Sequence, residues 1–162
     1  MHEIITSHRR GMAWRLALAL ALAIPAVHAQ HLPGQALSPA DKALVRSYTL
    51  TEATVAKAKA VERDAKAHHV DLKLFGSDTD NLSVDAAAAK LDARPGAHAL
   101  LAAHDLSARE LVLTSLATAG ALMTLQLANT PYAGKLDSSQ VNTANVDFVR
   151  QHMADFKYST GD

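Results

Sequence analysis

Cysteine is absent from this sequence of 162 residues. The chain therefore has no disulfide, no thiolate ligand for a metal, no CxxCH haem attachment and no cysteine nucleophile. No cysteine follows the apolar segment near the N-terminus, which excludes a lipid anchor on such a residue. If the protein is exported, its hydrophobic core alone must hold it together.

Aromatic residues are scarce as well and make up 4 % of the chain. Residues that favour strands, which are the β-branched and aromatic ones, never alternate with polar residues over a useful length. Alanine and leucine are abundant instead, and both are good helix formers. The composition therefore predicts an all-α protein.

An excess of one charge sign is also lacking. The chain has 16 Lys and Arg against 16 Asp and Glu, and the 133 residues that follow position 29 have 13 against 15. A nucleic-acid-binding protein usually carries a basic footprint. We therefore expect no nucleic-acid partner.

The N-terminus has the layout of a secretory signal peptide. A basic stretch that ends at Arg15 precedes the short apolar segment 16–24, and Pro25 then interrupts it. Small side chains occupy the positions before a cleavage site after Ala29. The alternative, a membrane anchor, requires about 20 apolar residues, and this segment is too short.

These features predict the domain organisation. We expect a signal peptide over 1–29 and a single helical domain over 30–162, whose first residues, about 30–37, are flexible. The location would be the periplasm or the extracellular medium. A domain of this length buries about two-thirds of its unfolded surface.

Capping residues mark the starts of several helices. Ser38 precedes a proline and can cap a first helix, and Ser83 can cap a later one. Thr49 with Glu52 and Ser107 with Glu110 match the capping-box pattern. The predicted helices cover about 39–46, 84–93, 95–104, 108–128 and 143–158, and the capping box at Thr49 is expected to open a further helix that runs through 54–68. The expected fold is a single-domain bundle of five or six helices.

The stretch between Glu110 and Lys135 contains no charged residue. A helix that is apolar nearly all round is a membrane span or the centre of a bundle. Polar residues such as Thr114 and Gln126 interrupt it, and the other helices need an apolar surface to cover. We therefore expect a central core helix over about 108–128, and a membrane span and a pocket wall remain alternatives.

Small residues on this helix suggest where neighbours or a ligand could approach. Gly120 would allow close helix packing. If the central helix is close-packed there, Gly120→Leu is expected to destabilise the fold strongly, and overpacking usually costs about 1–3 kcal/mol. Small side chains next to longer ones could also leave room for an apolar ligand. The candidate ligand-lining or core-lining residues are Leu116, Gly120, Met123 and Leu125.

Histidine is the one enriched reactive residue type beyond position 29. Zinc and similar metals favour imidazole ligands, but no HExxH motif occurs, and the histidine spacings do not place a pair on one helix face. We expect helix-end or solvent-facing histidines and no metal site. The residues concerned are His31, His68, His69, His98, His104 and His152.

Other chemistry-bearing motifs are incomplete. The stretch GSDTDN, residues 76–81, resembles part of a calcium loop, but Leu82 and Ser83 stand where the loop needs a third oxygen ligand and a glycine. No GxSxG or SxxK motif is present for a serine nucleophile. Tyr48 and Tyr158 are expected at the edge of the core. We expect no catalytic residue, no cofactor and no enzyme activity.

Three segments together suggest a resemblance: YTLTEATVAKA from Tyr48, LSARELVLTSLATAGALM from Leu106, and VNTANVDFVRQHM from Val141. In this arrangement the chain resembles a group of small, exported, all-helical proteins of Gram-negative bacteria. The resemblance covers most of residues 30–162. It implies a helical domain outside the cytoplasm, and it implies no activity, cofactor or catalytic residue.

The functional expectation is non-enzymatic binding of a protein partner or a small apolar ligand in the periplasm, without integration into the membrane. One alternative is a structural or stress-related envelope protein. Another is a small hydrolase or a histidine-based metal-binding protein. An exposed apolar patch would favour a protein partner.

Overall fold

The computed structural model describes residues 37–74, 83–128, 130, 131, 133 and 141–156. Every regular element in these residues is a helix, which confirms the predicted all-α class. There are seven helices, and the predicted count of five or six is exceeded by one short helix near the C-terminus. Their bounds are α1 Pro39–Ser47, α2 Glu52–His68, α3 Val84–Asp92, α4 Ala97–Ala103, α5 Ala108–Ala128, α6 Thr143–Gln151 and α7 Met153–Phe156.

Several predicted caps are confirmed. The hydroxyl of Ser38 accepts from the amide of Asp41 with Pro39 at the first helical position, and Ser83 accepts from Ala86. Ser107 and Glu110 form a reciprocal box: the amide of Ser107 donates to Glu110 Oε2 at 3.0 Å, and the amide of Glu110 donates to Ser107 Oγ at 3.2 Å. These bonds satisfy amides that the first turn of a helix leaves unpaired.

The start of α2 differs from the predicted capping box of Thr49 with Glu52. Thr51 is the capping residue, and its hydroxyl accepts from the amide of Thr54. In turn, the amide of Thr51 donates to the hydroxyl of Thr54 at 3.1 Å. The helix begins later because Leu50 is buried and donates its amide to a side chain of α6. This tertiary bond keeps the preceding residues extended, so they cannot cap the helix.

The last predicted helix is divided. His152 leaves the helical conformation with φ −105° and ψ 23°, and its amide still donates to the carbonyl of Phe148. The amide of Asp155 then donates to the carbonyl of His152, which starts the short α7. The apolar stripe predicted for this region packs as expected on its α6 part, where Val146 and Val149 are buried.

The buried residues form two clusters, and both include residues of α5. The first cluster joins α5 to α2, α3 and α4, with Val61, Val84, Leu91, Leu101 and Val112 among its members. The second joins α5 to α6 and to the start of α2. Its members are Leu50, Val55, Ala117, Ala121, Val146 and Val149. This position confirms the predicted central apolar helix.

Candidate functional site

The four candidate residues on α5 lie in different surroundings. Leu116 is buried in the first cluster, and Leu125 is half-buried against the second. Gly120 and Met123 are half-buried and belong to neither cluster. The predicted set therefore divides into two core contacts and two residues at a surface.

Gly120 does not lie at a close helix–helix contact with any described residue. A Cβ built on Gly120 has no atom within 4 Å beyond the helix's own backbone and its chain neighbours. The overpacking expected for Gly120→Leu thus finds no support among the described residues, and its effect on stability stays a prediction. The glycine instead leaves a notch in the surface of α5, because no described residue fills the space that a side chain would occupy.

The notch belongs to a continuous face of α5. Residues spaced three and four apart lie on one side of a helix, and Leu116, Ala119, Gly120, Met123 and Leu127 follow that spacing. Leu116 is buried, whereas the other four are half-buried. We define Ala119, Gly120, Met123 and Leu127 as the outer face of α5.

The length of α3 explains why the outer face lies beyond the core. At 1.5 Å per residue, the 9 residues of α3 extend about 14 Å, whereas the 21 residues of α5 extend about 32 Å. The first cluster, to which α3 contributes, ends at Leu116 on α5. Beyond that residue, α6 packs on a different side of α5, against Ala117 and Ala121.

In length and composition, α5 is the one helix among the described residues that could cross a membrane. Of its most apolar 18-residue stretch, 39 % is buried, so more than half of that stretch retains access to solvent. The core helix of a soluble protein meets the same criteria. The predicted absence of a membrane span thus stays a prediction.

A network of buried side-chain amides lies beside α5. Its central residue is Asn145, which the sequence patterns did not single out. Asn145 is 2 % exposed, and its side chain pairs with the chain between α1 and α2. Its Oδ1 accepts from the amide of Leu50 at 2.8 Å, and its Nδ2 donates to the carbonyl of Tyr48 at 2.8 Å. The amide thereby satisfies a buried donor and acceptor that lie outside any helix.

Two further side chains complete this network. Asn142 caps α6 and also donates its Nδ2 to the carbonyls of Arg46 and Tyr48 at 2.9 and 3.0 Å. The hydroxyl of Tyr48 lies 2.9 Å from Thr114 Oγ1 of α5, and Thr114 is buried. Tyr48 thus lies at the core edge, as predicted. The network holds α6 against the segment between α1 and α2 and therefore has a structural role.

A signal for Asn145 exists in the sequence. Asn145 stands one residue before Val146 and four before Val149, so helical spacing puts it on the buried side of α6. A polar residue on such a side requires a partner, because an unpaired buried amide is costly. The partner could not be named from sequence, since Tyr48 and Leu50 are almost a hundred residues away.

The described histidines lie at or near helix ends, and three of them lie close to carboxylates. His68 is the last residue of α2, and His69 follows it in a left-handed conformation with φ 55°. His104 follows α4, and its Nε2 lies 2.9 Å from Asp64 Oδ2 of α2. These positions agree with the predicted role of histidines at helix ends, although the partner carboxylates were not foreseen.

Two more histidines have acidic neighbours. His98 Nδ1 lies 2.9 Å from Asp92 Oδ1 at an exposed position. His152 lies between two carboxylates, at 3.8 Å from Glu52 Oε1 and 3.7 Å from Asp155 Oδ2. Its ring also stacks on Phe148, with centroids 4.5 Å apart.

Two carboxyl groups have a lowered pKa. The Arg63 side chain, which donates to Asp64 at 3.3 Å, lowers the pKa of Asp64; partial burial acts in the opposite direction, and the bond to His104 lowers the pKa further. The Ser107 backbone amide and then its hydroxyl lower the pKa of Glu110. Both carboxyl groups are therefore held in the charged form, which suits ion pairing and capping rather than acid catalysis.

Within residues 37–74, 83–128 and 141–156, no group of three or more His, Asp or Glu is placed to hold a metal ion. The hydroxyl of Ser107 donates to Glu110 Oε2 at 2.8 Å as part of the helix cap. The absence of enzyme activity stays a prediction. The signal peptide, His31, the incomplete calcium loop at 76–81 and Tyr158 lie outside the described residues.

The chain was compared with protein-family models, with curated proteins and with solved structures, and none of the three comparisons gives a match. The resemblance to small exported helical proteins therefore stays a prediction.

Proposed function

We propose that this chain is an exported, non-enzymatic binding protein whose partner is another protein, held on the outer face of α5. The observation that carries the proposal is the half-buried state of Ala119, Gly120, Met123 and Leu127 in a stretch without charged residues. Apolar patches that stay accessible on a folded domain usually mark interaction surfaces.

The shape of the surface favours a protein partner over a small ligand. Small-molecule sites are concave and enclose most of the ligand. The outer face is one side of a single helix with a notch at Gly120, which suits an apolar side chain from a partner helix or loop. Met123 beside the notch is unbranched and adapts to the shape of a partner.

The proposed location follows from the N-terminal pattern. A basic stretch, a short apolar segment and small residues before Ala29 support export with cleavage at that point. N-terminal sequencing of the protein recovered from the periplasm tests this part. A chain that begins at Gln30 is expected, and an intact chain that begins at Met1 would contradict export with cleavage.

Site-specific photo-crosslinking in the producing cells tests the binding surface. A benzoylphenylalanine at position 123 is expected to crosslink to one defined protein. The same group at position 102, on the exposed side of α4, is the matched control and is expected to give no such product. Equal products from both positions, or none from position 123, would contradict the proposal.

A substitution at the notch separates an effect on partner binding from an effect on folding. Gly120→Leu fills open space, so it is expected to leave the melting temperature within a few degrees while it blocks the partner side chain. The crosslink from position 123 should then fall at least about tenfold, which corresponds to about 1.4 kcal/mol. An undiminished crosslink would place the partner elsewhere on α5. Native mass spectrometry that shows a retained lipid-sized molecule instead would favour the apolar ligand.

A further inference from the structure

The outer face of α5 carries a notch and a long apolar side chain one turn apart. A Cβ at Gly120 would meet no described residue within 4 Å, and Met123 is half-buried beside it. Three residues of helix separate the two positions by about 4.5 Å along the axis. The face therefore offers both a space for a side chain and an unbranched side chain that can enter such a space.

The spacing of this face is the same in both directions along the helix. Leu116, Gly120, Met123 and Leu127 follow one another in steps of four, three and four residues. Reversal about the point between residues 121 and 122 exchanges Gly120 with Met123 and Leu116 with Leu127. A two-fold interface has this property, because residue i of one copy contacts residue j of the other, and j contacts i.

The absence of charge on this part of α5 also favours contact between identical faces. No charged residue lies between Glu110 and Lys135 in the sequence. Like charges that meet across an interface are costly, and complementary charges are a common means of selecting a partner of different sequence. The apolar segment offers neither the repulsion nor the selection, so complementarity of shape decides which partner fits.

We propose that the partner held on the outer face is a second copy of this chain, paired antiparallel so that Met123 of each copy enters the notch at Gly120 of the other. This inference rests on the proposed function of the outer face and names its partner. In a parallel pair, each notch would face the other notch and Met123 would face Met123. The notches would then stay unfilled, and their lining would lose contacts that close packing supplies.

The size of the face sets the strength of this association. Residues 118–128 extend about 16 Å along the helix, and one face of such a segment is smaller than the roughly 800 Å² that each partner buries in a standard interface. The dimer is therefore weak. We expect it to form at about 100 µM and to be largely dissociated below about 1 µM.

Sedimentation velocity of the chain recovered from the producing cells tests the association. Between about 1 and 100 µM, the mean mass of wild type should rise from monomer towards dimer, and Gly120→Leu should raise the dissociation constant at least about tenfold. Ala102→Leu, which enlarges an exposed side chain of α4, is the matched control and should associate as wild type does. A monomeric wild type at about 100 µM, or equal association in Gly120→Leu, would overturn the proposal.

Disulfide trapping tests the antiparallel direction. Because the chain has no cysteine, introduced cysteines can pair only with each other. A mixture of Gly120→Cys and Met123→Cys, oxidised with a small-molecule disulfide, should yield a covalent dimer of the two variants. Leu127→Cys alone should yield little, because its two copies lie about 16 Å apart along the axes, too far for a disulfide. Faster trapping of Leu127→Cys than of the mixture would indicate a parallel pair and overturn the proposal.

The photo-crosslink from position 123 separates this inference from the proposed function. A product with twice the mass of the chain supports the dimer. A product of another mass, with wild type monomeric at about 100 µM, would overturn the dimer and leave the outer face as a surface for a different protein. No product from position 123 would overturn both.

Discussion

The two halves of α5 have similar sequences and different surroundings. Residues 108–117 include seven of the eight buried residues of the helix, whereas residues 118–128 include only Ala121. Both halves are free of charge beyond Glu110 and rich in leucine and alanine. The difference arises from the neighbours, because α3 reaches only the first half and α6 covers one side of the second.

This comparison shows that an apolar sequence can serve a core and a surface in one continuous helix. In the first half, apolar side chains stabilise the fold by burial, at about 25 cal/mol per Å² removed from water. In the second half, the same chemistry leaves an accessible face that a partner can cover. Hydrophobicity alone therefore does not separate a structural residue from a binding residue.

The largest expected effect separates the two halves directly. Leu113→Ala removes a side chain that is 3 % exposed in the first cluster, and it should lower the free energy of unfolding by about 2–5 kcal/mol. Met123→Ala on the outer face should cost less than about 1 kcal/mol. Urea denaturation of both variants measures the difference, and equal losses would show that the second half is also core.

The amide network anchors α6, which covers the inner side of the second half. Asn145→Ala leaves the buried amide of Leu50 without its partner, and the expected loss is about 1–3 kcal/mol. Thr143→Ala, at an exposed position of the same helix, is the control and should cost under about 0.5 kcal/mol. Hydrogen exchange should show faster exchange in α6 than in the first half of α5. Similar losses for both variants would show that the amide network does not stabilise the fold.

A substitution that fills the notch at Gly120 is expected to stabilise the fold rather than destabilise it. Alanine favours helix over glycine, and a Cβ at this position has open space, so Gly120→Ala should raise the free energy of unfolding by about 0.5–1 kcal/mol. Thermal denaturation measures the change. A destabilised variant would show that another part of the chain packs closely on this face.

The smallest effect concerns the cap that begins the buried half. The pKa of Glu110 is lowered from its ordinary 4.5, chiefly by the Ser107 backbone amide. A carboxyl group with a lowered pKa in the folded state stabilises the fold above the ordinary value, and this contribution disappears as the pH falls below it. Glu110→Gln should therefore be less stable than wild type at neutral pH, with the difference shrinking as the pH falls below the ordinary 4.5. A difference that is constant with pH would contradict this role.

The sequence predicted most of the fold because helical signals are local. Ser38, Ser83 and Ser107 are capping residues as expected, and the apolar segment over 108–128 forms the central helix. The start of α2 and the division at His152 were not predicted. Both depend on contacts with distant residues, such as the bond between Leu50 and Asn145.

The candidate site was predicted only in part, for a related reason. Spacing places Gly120 and Met123 on one helix face, but it does not show whether a neighbour covers that face. The answer depends on the length and placement of α3 and α6, which pack from elsewhere in the chain. The sequence therefore suggested the residues but not which of them a neighbouring helix covers.

The difference between the two halves of α5 can be measured most directly by thiol labelling. Because the chain has no cysteine, each introduced cysteine is the single thiol. Met123→Cys should react with a water-soluble disulfide reagent at nearly the rate of an unfolded control. Leu113→Cys should react only as fast as the protein unfolds. Equal, slow labelling at both positions would show that the outer face is covered, and it would contradict the proposal that this face is free to bind a partner.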